Sequence, residues 1–216
     1  MSRVRVKICG ITSYRDLLIA VKAGVDAIGL VVDAPQSPRN LPINKAKKLM
    51  KAIPVFVETV VVTASKNLIH LERIFRELNP HIIQVHGLTH MHKEIRELLP
   101  DECLIGAIQV KTSLNVNTVV EAADTFDAIL LDSYIPGRHG GTGKTHDWKL
   151  SRHIRDTIYP KPLILAGGLN PENVKEAIRV VKPYAVDVSS GVESLPGVKD
   201  REKVFEFVKN AKEVEI

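Results

Sequence analysis

The sequence predicts an α/β fold, a single (β/α)8 barrel, and three observations lead to this prediction. Short runs rich in β-branched residues alternate with segments of helical period, which is typical of a parallel sheet covered by helices. The alternation repeats eight times across residues 1–216 without a long linker, so we expect one domain. Each unit takes about 27 residues, which suits a compact closed barrel. An open doubly wound sheet is the alternative.

Each strand and helix can be placed along the chain. The strands are expected near residues 4–9, 27–32, 55–62, 81–85, 104–108, 127–132, 162–166 and 185–189. The helices are expected near residues 13–23, 42–52, 66–78, 89–99, 114–123, 147–157, 171–181 and 200–212. Ser13 and Asp147 are expected to cap their helices, and Pro171 is expected at a first helical position.

The composition limits the kinds of partner. The 30 basic and 25 acidic residues leave a net charge of +5, but they are interleaved and only 5% of residues are aromatic. A small anion is therefore favoured over nucleic acid. No apolar stretch approaches the roughly 18 residues that span a bilayer, so no membrane contact is expected. Two cysteines and no run resembling a signal peptide indicate a cytoplasmic protein, with Cys103 in the core.

Cys9 stands where the first strand gives way to a loop. Strand alternation places Lys7 and Cys9 on one face, so a cation lies one step below the thiol if that face looks into a barrel. Such a cation favours the thiolate. The alternative is that Cys9 is a small buried hydrophobe. Catalytic groups of a barrel lie at the carboxyl ends of its strands, which is where Cys9 is expected.

Two neighbouring loops predict a phosphate site. Gly167 and Gly168 follow the seventh strand, while three further small residues follow the eighth, namely Ser189, Ser190 and Gly191. Small residues with free backbone N–H groups in these two loops are typical of the phosphate-binding type of TIM barrel. The alternative is that the glycines only make tight turns.

Other polar residues are expected at the same mouth of the barrel. Asp132 ends an apolar strand, where burial would raise its pKa and suit a general acid, unless it only caps a loop. Arg39 is a candidate to bind a carboxylate, with ordinary solvation as the alternative. Gln84 and His86 follow the fourth strand, and His86 could instead hold a loop. No second histidine or carboxylate stands at metal-ligand spacing, so no metal is expected.

The glycine-rich segment 137–145 follows the sixth strand and lacks the spacing of a Walker A phosphate loop. A lid that closes over an anionic substrate is its expected use, and an ordinary surface loop is the alternative.

Closure of a barrel makes its first and eighth strands neighbours. Lys7 and Asp187 each lie two residues before a candidate site residue. We therefore expect Lys7 and Asp187 to form an ion pair inside the barrel, just below the site. The alternative is that Asp187 points to the helix layer.

Seven short motifs occur in order along nearly the whole chain. They are KICGIT at 7–12, SPR at 37–39, QVHG at 84–87, LDS at 131–133, GGTGKT at 140–145, LAGGLNP at 165–171 and DVSSGVE at 187–193. Together they resemble the phosphoribosylanthranilate isomerase family of tryptophan biosynthesis. His146 and Val85 depart from the family pattern, in which Phe and Leu are more usual, and the His146 change leaves the packing of the expected lid open.

The resemblance implies a barrel that converts N-(5-phosphoribosyl)anthranilate into 1-(2-carboxyphenylamino)-1-deoxyribulose 5-phosphate, an Amadori rearrangement that needs no cofactor. It implies that Cys9 is the general base, that Asp132 is the general acid and that Arg39 faces the anthranilate carboxylate. Loops 167–168 and 189–191 match the phosphate site. The oligomeric state, monomer or homodimer, is left open.

Two other functions compete with this one. A phosphoribosyl-formimino isomerase of histidine synthesis, or an enzyme accepting both substrates, has similar chemistry but commonly uses a carboxylate where Cys9 stands. A non-catalytic phosphosugar-binding protein would have no turnover to lose when Cys9 or Asp132 is replaced.

Overall fold

The structure is a computed structural model that describes residues 3–110, 114–133 and 146–215. Within these ranges, eight barrel strands alternate with eight α-helices. The strands are β1 Arg5–Cys9, β2 Ala27–Val32, β3 Glu58–Thr63, β4 Ile82–His86, β5 Cys103–Val110, β6 Ala128–Ser133, β7 Leu163–Leu165 and β8 Ala185–Val188. The helices are α1 Tyr14–Ala23, α2 Ile43–Met50, α3 Leu68–Leu78, α4 His92–Leu98, α5 Val116–Thr125, α6 Trp148–Ile158, α7 Val174–Val181 and α8 Arg201–Lys212.

The barrel is closed, as predicted. Each strand pairs in parallel with the next one along the chain, from β1 to β8. Strand β8 also pairs with β1, where Val6 lies opposite Val186 and Lys7 opposite Asp187. A sheet whose last strand pairs with its first has no edge, so the open doubly wound alternative is wrong.

Side chains of the strands fill two separate apolar layers, because successive residues of a strand point to opposite faces. One set packs between the sheet and the helices, with Ile8 and Ile28 among its fully buried members. The other set fills the lumen and includes Val60, Leu130 and Cys9. Cys9 therefore points into the barrel, and the polar groups of the first strand share its face.

Three short elements shape the barrel mouth. A two-residue strand, Asn40–Leu41, pairs with β2 directly after Arg39. After β8, a 3-10 helix at Ser190–Val192 leads into an antiparallel hairpin of Glu193–Leu195 with Val198–Lys199. The hairpin connects the loop after β8 to helix α8.

Two of the three predicted helix starts are confirmed. Ser13 accepts a hydrogen bond from the Asp16 backbone N–H, and Asp147 accepts one from the Lys149 N–H. The start predicted at Pro171 is wrong, because α7 begins only at Val174. Asn170 and Asn173 instead bond to each other's backbone N–H groups at 2.9 Å, which holds residues 170–173 in a turn.

Two other details differ from the prediction. The third strand begins at Glu58 rather than at residue 55, because Phe56 has a left-handed φ of +72° that interrupts the extended chain. Cys103 is exposed at the first position of β5, so its assignment to the core is wrong. In the described part of the chain, no helix is long and apolar enough to cross a membrane.

Candidate active site

The carboxyl end of β1 presents Cys9 to the barrel mouth. Cys9 is only 8% exposed and lies opposite Gly29 of β2. A Cβ atom at position 29 would come within 2.8 Å of the Cys9 sulphur, so glycine is needed there to leave room for the thiol. The sequence analysis missed Gly29, although an isolated glycine inside a strand is a recognised signal of close approach.

The predicted ion pair inside the barrel is confirmed. Lys7 Nζ lies 3.0 Å from Asp187 Oδ2, and both side chains are buried. The second carboxylate oxygen of Asp187 is also buried, and it has no hydrogen-bond partner among the described residues. Because Lys7 precedes Cys9 by two positions on one strand face, the pair lies one layer below the thiol.

Replacing Lys7 by methionine is expected to destabilise the fold by about 3–5 kcal/mol, because the Asp187 carboxylate would remain buried without its partner. The double replacement Lys7→Met/Asp187→Asn should recover most of this loss, since it leaves no buried charge behind. Urea denaturation measures both free energies of unfolding.

The matched control for this prediction is Lys175→Met. Lys175 pairs with Glu213 at 2.8 Å, but both side chains are substantially exposed. Removing this exposed pair should cost far less than removing the buried one, because solvent screens the exposed charges. Equal losses at Lys7 and Lys175 would show that burial of the inner pair has no effect on stability.

Burial raises the pKa of the Cys9 thiol above its ordinary value. The charges of Lys7 and Lys199 favour the thiolate, as the sequence suggested for Lys7, but burial and the Asp187 carboxylate outweigh them. Lys7 itself stays charged, because the lowering effect of burial is outweighed, chiefly by the Asp187 carboxylate, and its pKa is raised. In the resting protein the thiol is therefore neutral at pH 7.

Asp132 emerges from the apolar end of β6 at the same mouth. Burial, reinforced by the negative charge of Asp187, raises the pKa of Asp132 to about 6. The Ser133 backbone N–H and the Lys7 charge oppose this shift only in part. With this pKa, Asp132 is protonated in a substantial fraction of molecules near neutral pH. This suits a general acid.

Arg39 is buried, so the alternative of a solvated arginine is wrong. Its Nε donates to Oε1 of Glu193 at 2.8 Å, and its Nη2 donates to Oε2 at 2.6 Å. This two-point pair fixes the guanidinium plane and leaves Nη1 as the nitrogen that faces away from Glu193. Arg39 also packs against the main chain at Gly10, beside Cys9, where a Cβ atom would lie 3.1 Å from its Cγ.

Lys199 is the second partner of Glu193 and has a fully buried side chain. Its Nζ donates to Glu193 Oε1 at 2.9 Å and to the Ser189 carbonyl at 3.0 Å. Burial raises the pKa of Glu193, but the Arg39 hydrogen bond and the Lys199 charge outweigh it and hold that pKa below its ordinary value. The sequence analysis gave no role to Glu193 or Lys199.

Gln84 and His86 lie together on the lumen side of β4. Gln84 is buried, His86 is partly exposed, and their Nε2 atoms are 2.8 Å apart. The Gln84 Oε1 atom is buried and has no hydrogen-bond partner among the described residues. The two residues form one polar unit at the carboxyl end of β4.

The loop after β7 contains Gly167 and Gly168, and both have left-handed φ values, +84° and +68°. Glycine adopts these conformations readily, so both residues suit the turn. A side chain at position 167 would collide with the backbone N and side chain of Ser133. The loop after β7 thus lies directly against the residue that follows Asp132.

The loop after β8 lies against the loop after β7. A side chain at Gly191 would collide with the Leu169 carbonyl, so the two loops touch through main-chain atoms. Ser189 precedes the 3-10 helix that begins at Ser190, and its Oγ is buried with no hydrogen-bond partner among the described residues. The predicted adjacency of the two loops is present.

His146 is the first residue of the described range 146–215. Its Nδ1 lies 3.0 Å from the Ser133 Oγ, and its Nε2 lies 2.6 Å from the Ser151 Oγ of α6. Burial lowers the pKa of His146 to about 4, so the imidazole is neutral at pH 7. This histidine connects the end of β6 to α6 through hydrogen bonds, which a phenylalanine could not form.

Segment 137–145, the expected lid, lies outside the described residues. Among the residues that are described, no group of three or more His, Cys, Asp or Glu side chains is arranged to hold a metal ion.

Residues 6–210 match the model of the N-(5'-phosphoribosyl)anthranilate (PRA) isomerase family. The chain belongs to this family. A relative from Haloferax volcanii named N-(5'-phosphoribosyl)anthranilate isomerase is 40% identical, and the alignment covers 96% of this chain and 93% of that one. The family match extends over almost the entire barrel and includes the carboxyl end of every strand described above.

Two solved structures of the PRA isomerase family have the same fold. One contains monomers of the dimeric isomerase of Thermotoga maritima, with a TM-score of 0.84, 36% identity and coverage of 98% of this chain and 100% of that one. The other is an isomerase in complex with reduced 1-(o-carboxyphenylamino)-1-deoxyribulose 5-phosphate, with a TM-score of 0.79, 37% identity and the same coverage. The (β/α)8 architecture is thus common to this chain and both PRA isomerases.

Proposed function

We propose that Cys9 and Asp132 carry out the isomerisation for which the family is named, as base and acid respectively. The substrate is N-(5-phosphoribosyl)anthranilate and the product is 1-(2-carboxyphenylamino)-1-deoxyribulose 5-phosphate, in tryptophan biosynthesis. One observation carries the assignment of roles. A thiol and a carboxyl group with a pKa of about 6 stand at the same mouth of the barrel.

Asp132 acts in the first step. Its carboxyl group donates a proton to the ring oxygen of the ribose, and the bond between that oxygen and C1 breaks. The lone pair of the anthranilate nitrogen forms the C=N bond of the resulting Schiff base, and Asp132 is left as a carboxylate. The raised pKa of Asp132 supports this role, because protonation is needed before the step.

Cys9 acts in the second step as the thiolate. It removes the proton from C2 of the sugar, and the electron pair moves to the iminium nitrogen to give an enolamine. Tautomerisation of the enolamine then yields the ketone. Because burial raises the pKa of Cys9, the reactive thiolate is a minor form of the free protein.

The remaining candidate residues hold the substrate in this proposal. Arg39 binds the anthranilate carboxylate through Nη1, since Glu193 takes its other two nitrogens. Gln84 and His86 bind polar groups of the opened sugar. The phosphate contacts backbone N–H groups in the two adjoining loops, at Gly167, Gly168, Ser189, Ser190 and Gly191. The unpartnered Ser189 Oγ supports this, because it is a buried donor available to an anion.

The purified protein should therefore consume phosphoribosylanthranilate, which is followed by the loss of substrate fluorescence. The assay uses neither added metal nor added cofactor. A phosphoribosyl-formimino substrate of histidine synthesis, assayed in parallel, tests the competing enzyme activity. Binding of phosphoribosylanthranilate without turnover would instead indicate a phosphosugar-binding protein and contradict the proposal.

The proposal includes assembly as a monomer or a homodimer and a cytoplasmic location. The Thermotoga maritima relative is described as dimeric, which supports the homodimer for the present chain. Light scattering on the purified protein distinguishes the two states, and a larger assembly would contradict both.

A further inference from the structure

The buried charges around Cys9 do not balance. Lys7 is paired with Asp187, whereas the single carboxylate of Glu193 is shared by Arg39 and Lys199. Among the described residues, these two groups together contain three cations and two carboxylates. One positive charge is left over, and ionisation of the neighbouring thiol would supply the missing negative charge.

Lys199 is the cation whose ammonium group is most completely enclosed. Its side chain has no exposed area, and its Nζ donates to both Glu193 and the Ser189 carbonyl. Its backbone N–H donates to Asp16 Oδ1 of α1 at 3.3 Å. The residue is thus fixed at both ends. Burial lowers the pKa of its ammonium group, while the Glu193 carboxylate opposes that shift and favours the charged form.

The contacts of Lys199 lead directly to the reacting end of β1. Lys199 donates to the Ser189 carbonyl, and Ser189 lies against Gly10. A Cβ atom added at Gly10 would be 3.0 Å from the Ser189 Oγ. Gly10 follows Cys9 in the chain. The charge of Lys199 lowers the pKa of Cys9, and it acts from outside the Lys7–Asp187 pair.

We propose that Lys199 is a positioning residue of the site, which holds the Ser189 loop beside Cys9 and supplies the positive charge that the Cys9 thiolate balances. This inference rests on the proposed role of Cys9 as the base. Lys7 cannot supply that charge alone, because Asp187 lies 3.0 Å from it and acts on the thiol with the opposite sign.

The other charged groups that face this part of the barrel do not replace Lys199. Strand β2 presents Gly29 to the thiol and therefore contributes no charge. Strand β6 contributes Asp132, whose ionised form disfavours a second anion nearby. Arg39 from the loop after β2 has its Nε and Nη2 bonded to Glu193.

The experiment titrates Cys9 directly, by following the ultraviolet absorbance of the thiolate against pH. The titration uses a Cys103→Ser background, because Cys103 is an exposed thiol that would add its own signal. Replacing Lys199 by methionine should raise the pKa of Cys9 by about one unit, which is about a tenfold loss of thiolate at neutral pH. Lys199→Arg keeps the charge and should leave the titration close to that of the parent.

Two further variants separate the charge of Lys199 from its packing. Glu193→Gln also breaks the Lys199 pair, but it leaves the cation in place, so the pKa of Cys9 should not rise. Lys203→Met removes an exposed lysine that donates to the Glu193 carbonyl, and it should change neither the titration nor the activity. If Lys199→Met does not fold, Lys199→Gln takes its place, because its amide can still donate to Ser189.

A rise in the pKa of Cys9 in both Lys199→Met and Glu193→Gln would overturn the proposal, since loosening of the loop would then be the cause. An unchanged titration in folded Lys199→Met would overturn it as well. Titration of the thiol needs no turnover, so its outcome is separate from that of the proposed function. If Cys9 is not the base, the titration still shifts but the pH profile of kcat/KM does not.

Discussion

Replacing Cys9 by alanine is expected to lower kcat for phosphoribosylanthranilate by about 10²–10⁴-fold, which is the usual contribution of one acid or base group. The alanine variant has no group on β1 that can take the C2 proton. Substrate binding should change little, because the thiol acts on a proton and contributes little to ground-state affinity. Steady-state kinetics with the purified variant separates the effects on kcat and KM.

Cys103→Ala is the matched control for this prediction. It removes the other thiol of the chain, which is exposed at the opposite end of its strand from the barrel mouth. Its kcat should equal that of the parent protein. If kcat of Cys9→Ala stayed within about threefold of the parent value, the loss would be far smaller than the contribution of one general base. Another residue would then have to be the base.

Asp132→Asn is expected to lower kcat by a similar factor of about 10²–10⁴, because asparagine cannot donate a proton to the ring oxygen. The same replacement should make the protein more stable at neutral pH. The pKa of Asp132 in the folded protein is about 6, compared with an ordinary value of 3.8. The folded state therefore binds this proton more tightly than the unfolded chain, and ionisation of Asp132 destabilises the fold.

The sign of this effect determines its pH range. Below the unfolded value of 3.8 the carboxyl group is protonated in both states, and the parent protein carries no penalty. Above about 6 the full penalty applies, so Asp132→Asn should gain about 3 kcal/mol at neutral pH. Urea denaturation at several pH values measures this gain. If Asp132→Asn lost both activity and stability at neutral pH, the raised pKa assigned to the buried Asp132 carboxyl group would be contradicted.

The pH profile of the parent protein follows from the same two groups. The active form needs Asp132 protonated and Cys9 ionised, although the pKa of Cys9 is raised above its ordinary value and that of Asp132 is about 6. Between the two pKa values the fraction of this form is constant, so kcat/KM should be level there. Below about pH 6 it should fall tenfold per pH unit, because only the thiolate fraction still changes. A profile that keeps rising below pH 6 would exclude the thiolate as the base.

Most of the fold could be predicted because it depends on local periodicity. β-branched runs and helical amphipathicity repeat with short connections, and eight such units close into a barrel. The errors occurred where single residues override the local pattern. Val55 and Phe56 resemble the start of a strand, but they are exposed in a turn where Phe56 has a positive φ.

Some contacts inside the site could be predicted for the same reason. The Lys7–Asp187 pair follows from two rules that act on the sequence alone. Alternation assigns each residue to a face, and closure makes the first and last strands neighbours. The register of β1 with β8 then sets the two residues opposite each other.

The pair between Arg39 and Glu193 could not be predicted in this way. The two residues are 154 positions apart, with Arg39 in the loop after β2 and Glu193 in the hairpin that follows β8. No periodicity relates such segments, so the distance between their side chains depends on how the loops pack. The same holds for Lys199, whose ammonium group contacts Ser189 only because the hairpin folds back toward the mouth of the barrel.

Cys9 shows where the two kinds of information divide. The alternation of residues along β1 was sufficient to place its thiol in the lumen, at the end of a strand and above Lys7. Its ionisation depends on burial and on the charges of Asp187 and Lys199, which the folded chain brings from β8 and from the hairpin. Local sequence specifies a position within a repeating element, whereas electrostatic energy depends on distances through space between residues that are remote in the chain.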